Sequence, residues 1–395
     1  MSAFSWHLGQ RVRAIPPSAI RRFFDLLETM PDAISLGIGE PDFVTPWHVR
    51  DRGIYSLEKG FTKYTPNAGL SELRGEISAY MRRHYDMAYD PKGEIVVTVG
   101  GSEAIDLAMR AVLEPGDEVL IPQPSFVCYG PIATLAGATP VFLETLAENR
   151  FRLTAEQLRA AITPKTRLLV LPYPCNPTGG IMERADLEAV ADVLRDTDIA
   201  VISDEIYAEL TYGEAHVSLA QLPGMEERTV VVGGLSKSHA MTGWRMGYAC
   251  GPREVIAQMI KIHQFAIMSA PTTSQYAAIE ALRHGDRDIA AMREEYDERR
   301  RFVVDALGRM GLPCFEPQGA FYVFPDIRST GLTSEDFCEG LLRAQRVAVI
   351  PGSAFGASGE GFVRCCYAAS MKQLTEAMER LKRFLEGTIQ LTIDN

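Results

Sequence analysis

The chain has 395 residues, of which 46% are hydrophobic and 23% charged, with a net charge of −11. That length exceeds one compact core and predicts a large domain with a second, smaller lobe. The acidic balance argues against a nucleic-acid surface, which needs clustered Lys and Arg, and no apolar run approaches the roughly 18 residues of a membrane helix.

The start of the chain has polar and charged residues within its first dozen and no signal-peptide pattern, so a cytoplasmic protein is expected. The seven cysteines are odd in number and no two are spaced C-x-x-C, which points to reduced thiols, not disulfides or a zinc site. Residues 1–45 show no large β-α pattern and are expected to join the smaller lobe or to cross to a partner. Gly37-Ile38-Gly39 begins like a dinucleotide fingerprint, but Glu40-Pro41 follows and the third glycine is missing.

From residue 94 a β-α alternation sets in. Residues 94–99 read as a strand running into Gly100-Gly101-Ser102, and apolar residues at 105, 108, 109 and 112 give the next segment helical spacing. Residues 117–121 read as a strand ended by Pro122. Residues 167–171, 199–203 and 229–232 are continuous apolar runs of the kind buried on both faces. Together they predict an α/β fold with a mostly parallel sheet between helices. Beyond about residue 285 a charged helix (286–301), a short strand candidate (320–324) and an amphipathic helix (371–385) predict the smaller α+β lobe. The expected division is therefore an N-terminal segment 1–45, a large domain 46–285 and a small domain 286–395. Arg299-Arg300-Arg301 reads as a solvated helix face.

Chemistry-bearing residues gather where the buried strands end, the edge at which open parallel sheets bind ligands. After strand 94–99, Gly100-Gly101-Ser102 opens a helix whose free N–H groups can face an anion. Asp204 ends strand 199–203, and Lys237 follows strand 229–232 through Gly233-Gly234-Leu235-Ser236. A carboxylate there needs a cation or strong donor. A desolvated lysine there becomes a nucleophile for carbonyls. The pair matches what pyridoxal phosphate (PLP) requires of a protein: a Schiff-base lysine and an acid facing the pyridine nitrogen. The seven histidines are scattered without ligand spacing, so no metal is expected. His239 lies two residues from Lys237 with no partner that the sequence can name.

Residues 234–247, Gly-Leu-Ser-Lys-Ser-His-Ala-Met-Thr-Gly-Trp-Arg-Met-Gly, resemble the class I aminotransferase signature at every defined position. Gly39-Glu40-Pro41-Asp42-Phe43, Tyr64 to Gly69, Asn176-Pro177-Thr178-Gly179, Asp204-Glu205-Ile206-Tyr207 and Arg364 extend the resemblance over nearly the whole chain. It implies a fold type I PLP enzyme. Lys237 would carry the cofactor and move protons, Asp204 would hold the ring nitrogen protonated, and Tyr207 and Asn176 would bind the ring oxygen. Gly101, Ser102, Ser236 and Arg245 would hold the phosphate, and Phe126 would stack on the ring. Arg364 and the Gly39 backbone would take the substrate carboxylate, with Asn176 beside them. Tyr64 would reach the phosphate of a neighbouring subunit, implying a homodimer with shared sites.

The implied activity is amino transfer between an amino acid and a 2-oxo acid. A carbon–sulfur β-lyase of the same fold is the alternative, and a ligand-sensing module is a third; the segment before Gly39 is too short for the winged helix such regulators carry. The sequence resembles prokaryotic aspartate and aromatic aminotransferases. Residues 34–50 and 240–245 carry a closer likeness to the N-acetyl-diaminopimelate aminotransferases of lysine biosynthesis. Glutamate and 2-oxoglutarate are expected as one pair. Ile15, Pro16, Pro17 and Ile38 are apolar candidates for the entrance of the pocket.

Overall fold

The computed structural model describes residues 6–17, 20, 27, 30 and 32–393, with side chains described as far as residue 387. Among the described residues there are twelve strands: β1 (Ile34–Ser35), β2 (Ile95–Thr98), β3 (Glu118–Gln123), β4 (Thr139–Glu144), β5 (Thr166–Leu171), β6 (Ala200–Asp204), β7 (Thr229–Gly234), β8 (Gly247–Cys250), β9 (Tyr322–Val323), β10 (Val347–Ala348), β11 (Ile350–Pro351) and β12 (Val363–Cys366). Seven form one sheet in the order β2-β8-β7-β6-β5-β3-β4. All neighbours in it pair parallel except at β8, which runs antiparallel to both β2 and β7.

The apolar runs bury both faces. On one face Val96, Val119, Ile121, Leu168, Val170, Ile202 and Val232 meet Ala104, Ile105, Ala108 and Met109 of helix Gly101–Val112. On the other, Leu120, Leu169, Leu171 and Val201 meet Leu187, Val190, Ala191 and Leu194 of helix Arg184–Leu194. Each large aliphatic side chain fully buried this way contributes roughly 1.5–3 kcal/mol. Pro122 does not end its strand as expected: β3 continues to Gln123 beside β4, while its register with β5 stops at Leu120. The missing N–H of Pro122 therefore interrupts no pairing on that side.

A second assembly follows. The antiparallel trio β11-β12-β9 and the parallel pair β1–β10 pack with helices Asp286–Arg309, Ser334–Gln345 and Met371–Ile393. Strand β1 from the N-terminal segment thus pairs with residues 347–348. The strand expected at 320–324 is only two residues long, and Ala320 before it takes a left-handed φ of 58°. The arginine run also differs from expectation. Arg299 and Arg300 are 3% and 7% exposed, and only Arg301 faces solvent. Arg299 donates to Asp42 at 2.7 Å and Arg300 to Glu316 at 2.6 Å. Buried guanidinium groups need such carboxylates.

Candidate active site

The carboxyl ends of β6 and β7 open into a cavity of about 310 Å³. β6 and β7 are adjacent and in register, Asp204 against Val232. That places Asp204, and Lys237 just past β7, at the wall of one cavity. Asp204 is 6% exposed. Burial raises its pKa to about 6 although Tyr129 Oη donates to Oδ2 at 2.6 Å and the Ile206 N–H to Oδ1 at 3.3 Å. The Lys237 ammonium donates to the Gly39 carbonyl at 2.6 Å, and desolvation lowers its pKa to about 8. An acid and a base in one enclosure are each pushed toward neutrality, the condition under which both can exchange protons near physiological pH.

Gly101, Ser102, Phe126, Asn176, Tyr207, Ser236, Arg245 and Arg364 line the same cavity, as does Gly39. The glycine turn is built for close approach. Gly100 takes a φ of 80°, and a Cβ on it would lie 2.4 Å from Arg245 Nη2. A Cβ on Gly247, the last residue of the signature, would lie 2.5 Å from the Gly100 carbonyl carbon. Arg245 itself is held left-handed, φ 54°, a conformation costly to a non-glycine residue. Its guanidinium donates to the Thr242 carbonyl at 3.1 Å and lies beside the N-terminus of helix Gly101–Val112. A cation joined to free helix N–H groups forms an anion cradle.

Arg364 of β12 also lines the cavity and donates to Asn176 Oδ1 at 2.8 Å and to the Gly37 carbonyl at 2.5 Å. Its Nε is buried without a partner, so one edge of the fork remains for a carboxylate. Tyr207 Oη lies 2.8 Å from Tyr322 Oη, and the Arg364 guanidinium lies 4.6 Å from the Tyr322 ring centroid.

Three participants escape the sequence reading. Tyr322 and Tyr129 line the cavity and touch Tyr207 and Asp204 respectively, and Gly37 supplies the carbonyl that holds Arg364. Tyr322 lies inside the strand candidate at 320–324, and that placement is its only signal. Tyr64 is 86% exposed and is not part of this cavity. Ile15, Pro16, Pro17 and Ile38 do not line it either; Ile20 does. His239 is buried away from the cavity, with Nδ1 2.8 Å from Ser238 Oγ, and burial lowers its pKa to about 4. Among the described residues there is no cluster of His, Cys, Asp or Glu fit to hold a metal, and no helix long and apolar enough to cross a membrane.

The model of the family aminotransferase class I and II matches residues 31–381. The chain is 51% identical to the Bacillus subtilis (strain 168) protein YugH over 382 residues, 97% of this chain and 99% of that protein. It is 45% identical to an aspartate aminotransferase of Pyrococcus abyssi, over 96% of this chain and 98% of the other. The crystal structure of an aromatic aminotransferase from Pyrococcus horikoshii OT3 matches with a TM-score of 0.88 at 47% identity, covering 92% of this chain and 99% of that one. The chain belongs to the class I and II aminotransferase family. It is a PLP-dependent aminotransferase with the type I fold. The cavity fits that cofactor: a lysine of lowered pKa, a buried carboxylate with spare acceptor capacity, an anion cradle and a cation whose Nε is unpartnered all line it.

Proposed function

We propose that Lys237 would hold the cofactor through its aldehyde and serve as the proton carrier, that Asp204 would pair with the ring nitrogen, and that Tyr207 and Asn176 would bind the ring oxygen. Gly101, Ser102, Ser236 and Arg245 hold the phosphate, Phe126 covers the ring face, and Arg364 with the Gly39 backbone takes the substrate carboxylate. The observation that carries this assignment is the Lys237 ammonium, enclosed with its pKa lowered, on the same cavity wall as Asp204. PLP supplies the electron sink. The protein holds the ring nitrogen charged, positions Cα of the amino acid near Nζ, and excludes water. The expected small domain 286–395 carries Arg364 and the large domain 46–285 carries Lys237, so a bound carboxylate favours their closure.

For substrates we propose glutamate and 2-oxoglutarate as one pair, and an aromatic or acylated diaminopimelate-type amino acid as the other. Among the described residues, the cations lining the cavity are Lys237, Arg245 and Arg364, each with a role above; the remaining lining includes Ile20, Ile105, Phe126, Pro172, Pro174 and Ile206. Among the described residues, the surface left in the cavity for a substrate side chain is therefore largely apolar, which favours a bulky or aromatic partner. Of the relatives reported above, the aromatic aminotransferase favours the same reading and the aspartate aminotransferase the competing one. Steady-state kcat/KM for aspartate, phenylalanine and N-acetyl-diaminopimelate with 2-oxoglutarate tests it; a clear preference for aspartate over both others overturns the specificity and leaves the transaminase activity intact.

A homodimer with shared sites is the accompanying proposal. Tyr64 is exposed in its own chain, and Trp47, Tyr55, Leu57 and Phe61 in the segment before it are exposed as well. Large apolar side chains left exposed in one segment are suited to a partner copy.

A further inference from the structure

Glu103 and His263 form a nearly buried pair that the chemistry above does not use. His263, on helix Arg253–Ala266, is 0% exposed, and its Nδ1 lies 2.8 Å from Glu103 Oε1. A carboxylate only accepts, so Nδ1 carries the proton of that bond. The second Glu103 oxygen accepts from the backbone N–H of Val99. Glu103 is the third residue of helix Gly101–Val112, so its side chain turns back across the helix start and ties down the residue preceding the glycine turn. From the other side, Thr98 Oγ1 donates to the Gly100 carbonyl at 3.0 Å and Arg245 Nη2 reaches the Val99 carbonyl at 3.5 Å.

We propose that the His263–Glu103 pair is a positioning element for cofactor phosphate: it fixes the Val99–Gly100–Gly101 turn so that the N–H groups of the cradle converge. Gly100 and Gly101 can adopt many backbone states, and an anion site made of N–H groups is effective only when they are already aligned. Glu103 supplies the alignment, at the cost of a negative charge near the site. His263 holds the carboxylate in place, and His263 is itself anchored because its carbonyl accepts from the N–H groups of both Ile267 and Met268. The proposal rests on the reading of Gly101, Ser102 and Arg245 as the phosphate cradle.

The test compares affinities of the full-length apoprotein for PLP and for pyridoxal, which lacks the phosphate, by fluorescence titration. The ratio reports phosphate recognition alone, and a purely structural role for the pair would lower both affinities together. Glu103→Ala is expected to lower the preference for PLP by about tenfold, the scale of one lost buried hydrogen bond to a charged group. Glu103→Gln retains an oxygen that can accept from Val99 N–H and removes the negative charge, so it is expected to keep the wild-type preference or exceed it. The contrast separates the hydrogen bond from the charge, and the glutamine variant serves if the alanine variant does not fold. Arg245→Ala is the control for the cradle itself. If it lowers the preference while Glu103→Ala stays within about twofold of wild type, the positioning role is overturned and the cradle stands. The positioning role is also overturned if Glu103→Gln loses the preference as fully as Arg245→Ala. If Arg245→Ala changes nothing, the cradle and the proposal fall together.

Discussion

Replacing Arg364 with lysine removes one side of a geometry, not a charge. In the structure one Nη donates to Asn176 Oδ1 at 2.8 Å, the other to the Gly37 carbonyl at 2.5 Å, and Nε is buried and open. An ammonium at the end of a shorter chain cannot keep both internal contacts and also meet two carboxylate oxygens. Either Asn176 Oδ1 or the Gly37 carbonyl is then left without its donor, or the substrate carboxylate is held by a single bond. A hydrogen bond to a charged group is worth about 1.5–3 kcal/mol, and truncating a buried pair costs about 2–5 kcal/mol. The expected loss in transition-state binding is therefore about 2–4 kcal/mol, or roughly 30- to 1000-fold in kcat/KM. The assay is initial-rate transamination of glutamate and of an aromatic amino acid by the variant, with cofactor saturation checked by absorbance. Because both donors carry the same α-carboxylate, both should fall by a similar factor. A change below about threefold (under 1 kcal/mol) refutes the assignment of Arg364 as the clamp. A loss confined to glutamate refutes it too, since that pattern belongs to a residue meeting the distal group.

Lys237→Ala is expected to abolish nearly all transamination and to leave no cofactor attached to the peptide containing residue 237 after borohydride reduction, as read by mass spectrometry. In the wild-type apoprotein, the rate of reaction with PLP should rise about tenfold per pH unit below pH 8 and level above it, because only the neutral amine attacks; a midpoint near the ordinary lysine value of 10.5 would contradict the enclosure seen here. The same shift acts on stability: unfolding takes up a proton between pH 8 and 10.5, so this group destabilises the apoprotein most below that window and is relieved as pH rises through it. Tyr322→Phe deletes only the hydroxyl 2.8 Å from Tyr207. With the Tyr207 proton given to the cofactor ring oxygen, Tyr322 must be the donor of their bond, so its loss weakens Tyr207 as a donor. The pH midpoint of the visible absorbance should then move up by as much as about one unit, while an unchanged midpoint would separate Tyr322 from the cofactor.

Lys237 and Asp204 were legible because apolar strands announce themselves, and a charged residue at the end of one stands out against its neighbours. The glycine turn and Arg245 were legible for the same reason, reinforced by a long signature. Other features depend on contacts between distant parts of the chain. Tyr322 is one residue of a short strand candidate until β9 is placed against β12, which brings it to Arg364 and Tyr207. Arg299 reads as solvated because its partner Asp42 lies 257 residues away. The N-terminal apolar residues illustrate the converse. Ile15, Pro16 and Pro17 had composition in their favour, yet the cavity is reached by Ile20 instead, a displacement too small for composition to resolve.

The raised pKa of Asp204 makes a sharper demand on the cofactor. Burial holds this carboxyl at about 6, so above that pH the apoprotein holds a desolvated anion whose protein donors, Tyr129 and the Ile206 N–H, do not offset the cost. A protonated ring nitrogen held opposite it, as proposed above, would supply the missing cation and favour the ionised form. Binding and ionisation are then linked: the cofactor binds the ionised protein, and its affinity should increase about tenfold per pH unit as pH rises toward 6, then flatten. Two other groups titrate nearby, Lys237 and the cofactor phosphate, so the comparison is made between Lys237→Ala and the double variant Lys237→Ala/Asp204→Asn. The lysine is absent from both and the phosphate is common to both. The difference between their affinity profiles, measured by fluorescence titration across pH 5 to 8, belongs to residue 204 alone. Parallel profiles would mean that Asp204 does not face the ring nitrogen, whatever the activity of the enzyme. A difference that opens with rising pH and saturates near pH 6 would place the charge where the strand end puts it.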